Sequence, residues 1–543
     1  MHLNLKVEWI RKLKNERIVE AHNWRSPERW EMVDIEALEE ADLDQLLDLM
    51  AEQRGAKGSL AVVQKINTYR KLSTNVKGTK ITRLEPLVLA VKKLLEPTPH
   101  KWLFTENKDG HLIPWYVHSV SYLPPEPRRG LPASTSVDLA AVKRGSKVTD
   151  SIRFHATELG DTAYNLLARE GYFVETPEIV EAYSSENQRY QAVCGLTGTQ
   201  FLASGDSFAL SSRWDRELTA MERDGAPTRV VMDDESEEEE TKENNTRITT
   251  QFWTENKKSD DNESSENSVV DLPVQPYVKV FDLDKHNFIS LHVANLTEYV
   301  YDAAMIHKLV LSEERKELLS MLVEGADTVM EDIVKGKTGG IIVICTGPPG
   351  TGKTLSAEVF SEQVKRPLYA VQCSQLGTDA KDLEKELRTV LSRAQRWKAI
   401  LLIDEADVYV HERGSDIQQN AIVGVFLRIL EHYRGVLFMT SNRETIIDDA
   451  IMSRATAWIR YDLPGTEQLR AIWTVLSAQY AARLTPEAIE RLTACEKFKR
   501  ISGRSVKNLL KLARLLSARK QQPITVESLL YVSQFLDLEQ LDK

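Results

Sequence analysis

The sequence feature that most constrains the fold is the stretch 347–354, which reads GPPGTGKT. It follows the apolar run 341–346 and precedes a segment of helical pattern, 355–363. A buried strand, a glycine-rich loop and a helix start, in this order, offer backbone N–H groups and a helix N-terminus to a phosphate. In such a loop the lysine, Lys353, contacts the β and γ oxygens and the hydroxyl of Thr354 ligates Mg²⁺. The pattern therefore predicts a Walker A nucleotide site, with the contacts Gly347, Pro348, Pro349, Gly350, Thr351, Gly352, Lys353, Thr354 and Leu355.

A second motif combines an apolar run with two acids. The run 400–403 is followed by Asp404 and Glu405. A buried strand delivers such residues to its carboxyl edge, where Asp404 is expected to hold Mg²⁺, directly or through water, and Glu405 to polarise the attacking water. This pattern is a Walker B motif, and the two motifs together predict hydrolysis of ATP.

A third apolar run, 436–439, ends in the polar residues 440–443. An amide at the tip of this strand, between the two Walker strands, can orient the lytic water, and Asn442 is the candidate. Further on, Arg454 stands just before a fifth apolar run, 458–461. Its guanidinium could stabilise transition-state charge on the ATP of a neighbouring subunit, whereas a surface ion pair is the alternative for Arg454 taken alone.

With these motifs in this order, residues 275–535 resemble the AAA+ ATPases. The resemblance makes Asn442 the sensor 1 residue, Arg454 the arginine finger and Arg504 a candidate sensor 2. More narrowly, the sequence is similar to a remodelling branch found in uncharacterised bacterial and fungal ATPases. It implies an α/β P-loop module with a five-stranded parallel sheet and a helical lid after Pro464. It also implies a homo-oligomeric ring, hexameric in the family, with ATP and Mg²⁺ bound between subunits.

Composition shifts divide the chain into five predicted segments. The segment 1–95 has helical spacing of apolar residues, and 96–231 has the mixed pattern of an α+β partner or substrate domain with a hairpin across the turn 107–110. The segment 232–272 is acidic and poor in apolar residues, as expected for a disordered linker. The predicted nucleotide-binding domain, 273–464, and the helical lid, 465–543, complete the chain.

The N-terminal half contains no motif whose chemistry the sequence reveals, and no protease, nuclease or metal site is recognised there. Histidines and aromatics do cluster near the hairpin, at His111, Trp115, Tyr116 and His118. Aromatics that alternate along a strand are typical of a core, so a ligand-binding role is the less favoured interpretation.

The net charge and the cysteine content limit the classes of binding partner and the cellular compartment that we expect. The 543 residues carry a net charge of −11, which disfavours nonspecific binding to nucleic acid by the whole surface. The 4 cysteines form no C-x-x-C pair, as expected in a reducing compartment. No apolar run approaches the roughly 20 residues that span a bilayer, and the N-terminus lacks the apolar core of a signal peptide. We therefore expect a cytoplasmic protein without a membrane partner.

The sequence leaves three functions open. The leading hypothesis is a ring-forming ATPase that remodels a protein partner. A nucleic-acid loader or motor is the main alternative, because the lid contains the basic run 497–500 and further lysines and arginines. An ATP-gated scaffold without mechanical work is the third. Threading relatives carry an aromatic residue in a pore loop, but the matching stretch here, 373–379, has none, so the resemblance does not extend to threading.

Overall fold

The protein is represented by a computed structural model in which two compact units are separable, Met1–Leu196 with Phe201–Thr297, and Thr197–Gln200 with Glu298–Lys543. Each unit is described by itself. The structure describes residues 2–13, 15, 18–20, 27, 29–35, 38–52, 59, 62, 63, 65–67, 79–126, 128, 130–210, 217–221, 226–233, 247–250, 268–325, 339–377, 380–410, 417–442 and 447–536.

The first unit is built mainly of antiparallel sheets. Its strands are β1 (His2–Lys6), β2 (Trp30–Asp34), β3 (Trp102–Glu106), β4 (Leu112–Leu123), β5 (Ser134–Lys143), β6 (Ser146–His155), β7 (Phe173–Val174), β8 (Gln200–Ala203), β9 (Ser207–Leu210), β10 (Glu217–Met221), β11 (Thr228–Met232), β12 (Arg247–Thr250), β13 (Ser268–Asp271), β14 (Val274–Gln275), β15 (Tyr277–Asp282), β16 (Asn287–His292) and β17 (Leu296–Glu298). Its helices are α1 (Val7–Ile10), α2 (Glu40–Glu52), α3 (Leu84–Leu95), α4 (Ala163–Arg169) and α5 (Pro177–Val193).

Two larger sheets organise this unit. A 6-stranded sheet has the order β14-β5-β4-β3-β7, with β6 paired to β5, and a 7-stranded sheet has the order β10-β9-β16-β15-β11-β8-β17. The predicted hairpin is present, because β3 and β4 pair antiparallel with Leu103 opposite Trp115. Helices α4 and α5 lie in the segment 96–231, for which the sequence pattern predicted a mixture of helices and strands.

The segment 1–95 differs from its helical prediction. Strands β1 and β2 pair antiparallel there, with Leu3 opposite Val33. Leu3, Leu5 and Val33 are all buried. Leu3 and Leu5 are two residues apart, which is the period of buried side chains in a strand, and the helical interpretation overlooked it. Helices α2 and α3 agree with the prediction, and α3 packs against the 6-stranded sheet through Leu87 and Val91.

Part of the predicted disordered linker is also structured. Strands β12 and β13 pair antiparallel, with Ile248 opposite Val270, and Ile248 is buried. The prediction for 232–272 was wrong at these two strands, because β-branched residues at both ends supply a short ladder that the average composition hides. The runs 234–246 and 251–267 lie outside the described residues.

The nucleotide-binding domain begins later in the chain than predicted. Strand β15 pairs with β11 and β16, and β16 pairs with β9, so both belong to the 7-stranded sheet. Their residues Val278, Val280, Ile289 and Leu291 are buried in the core of that sheet. The prediction that this domain begins at 273 was therefore wrong, and apart from residues 197–200 the second unit begins at Glu298.

The second unit contains a 5-stranded sheet, all parallel, in the order β19-β20-β21-β18-β22, which confirms the predicted fold class. The strands are β18 (Ile341–Thr346), β19 (Leu368–Gln372), β20 (Ile400–Asp404), β21 (Val436–Ser441) and β22 (Ala457–Arg460). Its helices are α6 (Glu313–Glu324), α7 (Lys353–Gln363), α8 (Cys373–Leu376), α9 (Ala380–Arg396), α10 (Asp407–Val410), α11 (Ile417–Leu430), α12 (Asp449–Met452), α13 (Thr466–Gln479), α14 (Pro486–Ala494), α15 (Gly503–Lys520) and α16 (Val526–Val532).

The last four helices form a cluster with its own hydrophobic core. Trp473 of α13 and Phe498 pack edge to face, with ring centroids 6.0 Å apart. Leu509 and Leu510 of α15 are fully buried beside them, within the segment 465–543 in which the family resemblance implied a helical lid. Within the part of the chain that the structure describes, no helix is both long and apolar enough to span a membrane.

Candidate functional site

The glycine-rich loop lies at the carboxyl edge of the parallel sheet, between β18 and α7. Gly347 has a φ of 138°, and a Cβ atom there would lie 1.9 Å from the backbone oxygen of Tyr461, just after β22. Gly350 has a φ of 79°, and its Cβ would lie 2.7 Å from the Cβ of Arg504. The loop therefore requires glycine at both positions, for backbone conformation and for close approach.

Lys353 begins α7 and points its amine at the loop. Its Nζ donates hydrogen bonds to the carbonyl oxygens of Gly347 at 2.7 Å and Pro348 at 2.8 Å, and to Oδ1 of Asn442 at 2.9 Å. The residue is only 6% exposed. Burial lowers the pKa of this amine, while the neighbouring carboxylate of Asp404 opposes that shift. The loop thus holds a cation next to the backbone that is expected to cradle phosphate.

The predicted Mg²⁺ ligands lie together. The hydroxyl of Thr354 donates a hydrogen bond of 3.0 Å to Oδ1 of Asp404. The same carboxylate oxygen accepts a 2.5 Å hydrogen bond from the hydroxyl of Thr440, a buried residue of β21. Hydroxyl and carboxylate oxygens are ligands that Mg²⁺ accepts, so the pair fits this ion.

Glu405 follows Asp404 at the end of β20 and is exposed. Its φ is 55°, which is unusual for a residue with a Cβ atom. Two contacts hold this conformation: its N–H donates to the hydroxyl of Thr440 at 3.0 Å, and its carbonyl accepts from the Cys373 thiol at 2.9 Å. The carboxylate is therefore presented to solvent at the same edge as the loop.

Asn442 follows the end of β21, the strand between β20 and β18. Its side-chain oxygen accepts the hydrogen bond from Lys353. Its backbone N–H donates to Oδ1 of Asp407 at 3.2 Å, and the same oxygen accepts a 2.5 Å bond from the hydroxyl of Ser441. The amide predicted to orient water thus lies beside the phosphate-loop lysine.

The remaining predicted binding residues surround the loop. The hydroxyl of Thr351 donates to the Pro348 oxygen at 2.9 Å, and Leu355 is partly exposed on α7. Arg504, in the first turn of α15, is exposed, and its N–H lies 3.4 Å from the Gly350 oxygen. The structure therefore brings the sensor 2 candidate to the loop through its backbone.

Arg454 lies away from the loop of its own chain. Its guanidinium donates to the Ala450 oxygen at 3.1 Å and lies 3.7 Å from Glu431. In the parallel sheet Ala457 is opposite Val343, so Arg454 precedes the amino end of β22 while Gly347 follows the carboxyl end of β18. Four residues of strand from Val343 to Gly347 span about 13 Å. The site residues predicted from sequence therefore converge, except for this arginine.

Sequence reasoning missed the residues that orient the site. Thr440 contacts both Walker B acids, and Asp407 holds Ser441 and the backbone of Asn442. The available signal was their place at the strand ends, because polar residues there face the same edge as the motifs.

The pore-loop stretch is only partly described. Cys373–Leu376 forms the short helix α8, and residues 378 and 379 lie outside the described part of the chain. Burial, with a smaller contribution from the carboxylates of Asp407, Glu405 and Asp404, raises the pKa of the Cys373 thiol to about 12. This cysteine is therefore a neutral thiol near pH 7.

Comparison with known proteins agrees with this geometry. Residues 343–463 match the family "ATPase family associated with various cellular activities (AAA)". The chain is 30% identical over 210 residues to the mitochondrial sorting homolog of Caenorhabditis elegans, covering 37% of this chain and 59% of that protein. It is 30% identical to the ATP-dependent zinc metalloprotease FtsH of Ureaplasma parvum over 33% of this chain and 26% of that protein.

A third relative is fidgetin-like protein 1 of Drosophila melanogaster, which is 28% identical over 34% of this chain and 37% of that protein. The chain thus spans between 26% and 59% of the length of these three relatives.

Proposed function

Because the chain carries an AAA ATPase domain at residues 343–463, we propose that it hydrolyses ATP with Mg²⁺, assembles into a ring and remodels a protein partner. The convergence of Lys353, Thr354, Asp404 and Asn442 at one sheet edge is the observation that carries this proposal. Thr354 and Asp404 would hold Mg²⁺, which neutralises charge on the phosphates when it is bound.

The roles of the other groups follow from their positions. Backbone N–H groups of the loop and the start of α7 bind phosphate, and Lys353 adds a positive charge there. Glu405, exposed beside Asp404, polarises water, and Asn442 orients it. Since all of these groups belong to one rigid edge of a parallel sheet, they are oriented before substrate arrives.

The position of Arg454 supports a shared site. It lies at the opposite edge of the sheet from its own phosphate loop and is 34% exposed. In hydrolysis, a side chain in this position would act on a nucleotide held by another subunit, which requires a heterologous, head-to-tail contact. Such contacts close into rings when the rotation between subunits allows it.

A protein is the substrate class that we favour. Among the relatives, the metalloprotease FtsH is named as ATP-dependent and as a protease, so its named action is on proteins. The first unit here is a separate folded body with its own cores, and the net charge of −11 disfavours nucleic acid as the general partner. We therefore assign partner recognition to the first unit.

Complementation between two inactive variants tests the shared site. Glu405→Gln keeps Arg454 but blocks its own hydrolysis, and Arg454→Ala keeps its own site but deprives its neighbour. Each variant alone should lose ATP hydrolysis. Their equimolar mixture should recover about one quarter of wild-type activity, since random assembly gives that fraction of complete sites in a head-to-tail ring.

Two controls sharpen the experiment. The double variant Glu405→Gln/Arg454→Ala, mixed with Glu405→Gln, should stay inactive. Arg470→Ala removes a surface arginine that pairs with Glu490 and should hydrolyse ATP like wild type. Full activity of the Arg454→Ala protein, or no recovery in the mixture, would remove the shared site from the proposal. Normal hydrolysis by Glu405→Gln would contradict the assignment of Glu405 as the residue that polarises the attacking water.

A further inference from the structure

Two histidines and a glutamate from three separate elements meet inside the first unit. His111 directly precedes β4 of the 6-stranded sheet, His292 is the last residue of β16 in the 7-stranded sheet, and Glu186 lies on α5. The side chain of His111 is 4% exposed, that of His292 is 0% exposed and that of Glu186 is 28% exposed. The cluster is therefore internal, with the carboxylate as its side toward solvent.

The potential ligand atoms are close to one another. His111 Nδ1 lies 3.2 Å from Glu186 Oε1, and His292 Nε2 lies 3.6 Å from Glu186 Oε2. One ligand atom from each of the three residues falls within 4.8 Å of the other two. Ligands bound tetrahedrally at 2.0–2.1 Å are about 3.3 Å apart, which is close to the 3.2 Å between His111 Nδ1 and Glu186 Oε1. His292 Nε2 faces the other oxygen of the same carboxylate and lies slightly farther from it.

A hydrogen-bond relay fixes the tautomer of His111. Asn295 Nδ2 donates to Asp109 Oδ2 at 2.5 Å, so the amide oxygen faces the other way, toward His111 Nε2 at 3.4 Å. That nitrogen must then carry a proton, because the amide oxygen can only accept. The other nitrogen of the ring, Nδ1, is the one that faces the Glu186 carboxylate.

This arrangement needs a cation. In a neutral His111 with its proton on Nε2, the lone pair of Nδ1 faces a carboxylate oxygen at 3.2 Å, and two acceptors at that distance repel. Either a proton or a metal ion between them removes the repulsion. The second histidine favours the metal ion, because His292 brings another nitrogen to the same carboxylate and one ion can bind all three side chains.

We propose that His111, Glu186 and His292 form a binding site for a divalent transition metal ion of the zinc class. Imidazole nitrogens with one carboxylate are a ligand set that such ions accept. Asn295 and Asp109 behind His111 supply the outer hydrogen bonds that metal-bound histidines usually have. This site is independent of the nucleotide chemistry in the second unit.

Metal binding requires a local adjustment of His292. The two imidazoles are stacked, with centroids 4.3 Å apart and planes 12° from parallel, so one ring must turn for both lone pairs to converge. The N–H of Ala294 also lies 3.3 Å from His292 Nδ1, which favours the proton on Nε2. Coordination of the metal ion through Nε2 of His292 displaces the proton from that nitrogen. The proton of the neutral ring then lies on Nδ1, so the hydrogen bond from the Ala294 N–H is lost.

The site joins elements that belong to different sheets. Helix α5 packs on the 6-stranded sheet through Ile179 and Tyr183, and its residue Tyr190 packs against the core of the 7-stranded sheet. A metal held by Glu186 would tie the helix to the end of β16 and to the start of β4. We therefore expect the ion to stabilise the first unit.

The test uses the full-length protein, stripped with a chelator and titrated with Co²⁺ as a spectroscopic probe. Wild type should bind one ion per chain with the visible bands of tetrahedral coordination, and Zn²⁺ should displace it. Glu186→Gln and His292→Gln should each weaken binding by more than about 100-fold, because loss of a ligand exceeds the 10–100-fold effect of an outer-shell change. The midpoint of thermal unfolding of the first unit should rise with metal in wild type but not in the Glu186→Gln and His292→Gln proteins.

His100→Gln is the matched control. His100 Nδ1 lies 2.8 Å from Glu175 Oε2, a histidine–glutamate pair that is not part of the three-residue cluster, so this variant should keep the Co²⁺ site. Glu186 is partly exposed on a helix, and its glutamine variant is expected to fold, which circular dichroism checks. Wild type that takes up no Co²⁺, or a Glu186→Gln protein with unchanged affinity, would overturn the proposal in favour of a proton shared between His111 and Glu186.

Discussion

Among single residues of the candidate active site, Thr440 contacts both of the neighbouring acids Asp404 and Glu405. One hydroxyl donates to Asp404 Oδ1 at 2.5 Å and accepts from the N–H of Glu405 at 3.0 Å. It therefore orients Asp404, the expected Mg²⁺ ligand. At the same time it holds the left-handed backbone of Glu405, the residue expected to polarise water. Thr440 contacts neither nucleotide nor water in this scheme and acts as a positioning residue.

Thr440→Val is expected to lower kcat of ATP hydrolysis by roughly 10- to 100-fold, because a hydrogen bond to a charged group contributes about 1.5–3 kcal/mol. The Mg²⁺ concentration for half-maximal activity should rise, because Asp404 loses a partner that orients it. Steady-state hydrolysis across a Mg²⁺ titration measures both effects.

Thr440→Ser is the matched control for this prediction, since it keeps the hydroxyl and should restore activity and Mg²⁺ dependence. Nucleotide affinity measured in the presence of a chelator should be unchanged in both variants. If the valine and serine variants behave alike, the hydroxyl has no positioning role.

At the scale of elements, the phosphate loop is held between the end of β22 and the start of α15. Gly347 lies against the backbone of Tyr461, and Gly350 lies against Ser502 and Arg504. The Tyr461 N–H also donates to the Thr346 oxygen at 2.7 Å. The loop is thus positioned by backbone contacts from both the sheet and the helical cluster.

Gly347→Ala should destabilise the second unit severely, because its Cβ would lie 1.9 Å from the Tyr461 oxygen at a φ of 138°. An overpacked site typically costs about 1–3 kcal/mol and backbone strain adds to it. Gly424→Ala is the contrast: it lies within α11 with open space around its Cβ, so it should stabilise by about 0.4–1 kcal/mol.

Urea unfolding followed by circular dichroism measures both glycine variants against wild type. A Gly347→Ala protein as stable as wild type would show that the backbone after β22 can move away from the added Cβ at little cost, contrary to the packing described. An unstable Gly424→Ala protein would argue that α11 is constrained by contacts beyond those of the described chain, such as those with another subunit.

At the scale of the whole molecule, each of the two units has its own hydrophobic cores. In the second unit one core surrounds the parallel sheet and another fills the helical cluster. In the first unit separate cores underlie the 6-stranded and 7-stranded sheets. A ligand that binds one unit is therefore expected to stabilise that unit first.

We expect calorimetry of the Glu405→Gln protein to show more than one unfolding transition, and ATP with Mg²⁺ to raise only the one that belongs to the second unit. At a ligand concentration of 100 times Kd the gain is about 2.7 kcal/mol. Hydrogen exchange should show the added protection within 339–377 and 400–410 and leave β15 and β16 unchanged. A single transition that shifts as a whole with ATP would contradict this expectation.

The parts of the molecule that the sequence predicted are those in which a local pattern determines the structure. The spacing from Gly347 to Thr354 specifies a loop and a helix start, and apolar runs ending in Asp404 or Asn442 specify strands with polar tips. The AAA+ resemblance and its five-stranded sheet were confirmed on this basis. Roles of individual residues within the site stay predictions.

The features that the sequence did not predict depend on which elements pack against each other in the fold. The alternation of apolar residues in β15 and β16 identifies them as strands but does not indicate which strands they pair with. Both were therefore assigned to the wrong domain. Likewise His111, Glu186 and His292 are far apart in the chain, and only the fold brings them within 4.8 Å. Thr440 was overlooked because a threonine in a strand is ordinary until its hydrogen bonds are known.

The separation between Arg454 and its own phosphate loop has a genetic consequence. In the proposed ring, a copy that lacks this arginine keeps a complete site of its own and disables that of its neighbour. A cell that makes equal amounts of intact and Arg454-deficient protein would build mostly mixed rings. Half of the sites in the intact copies would then face a neighbour without the arginine, so the intact gene could not give full activity to its own product.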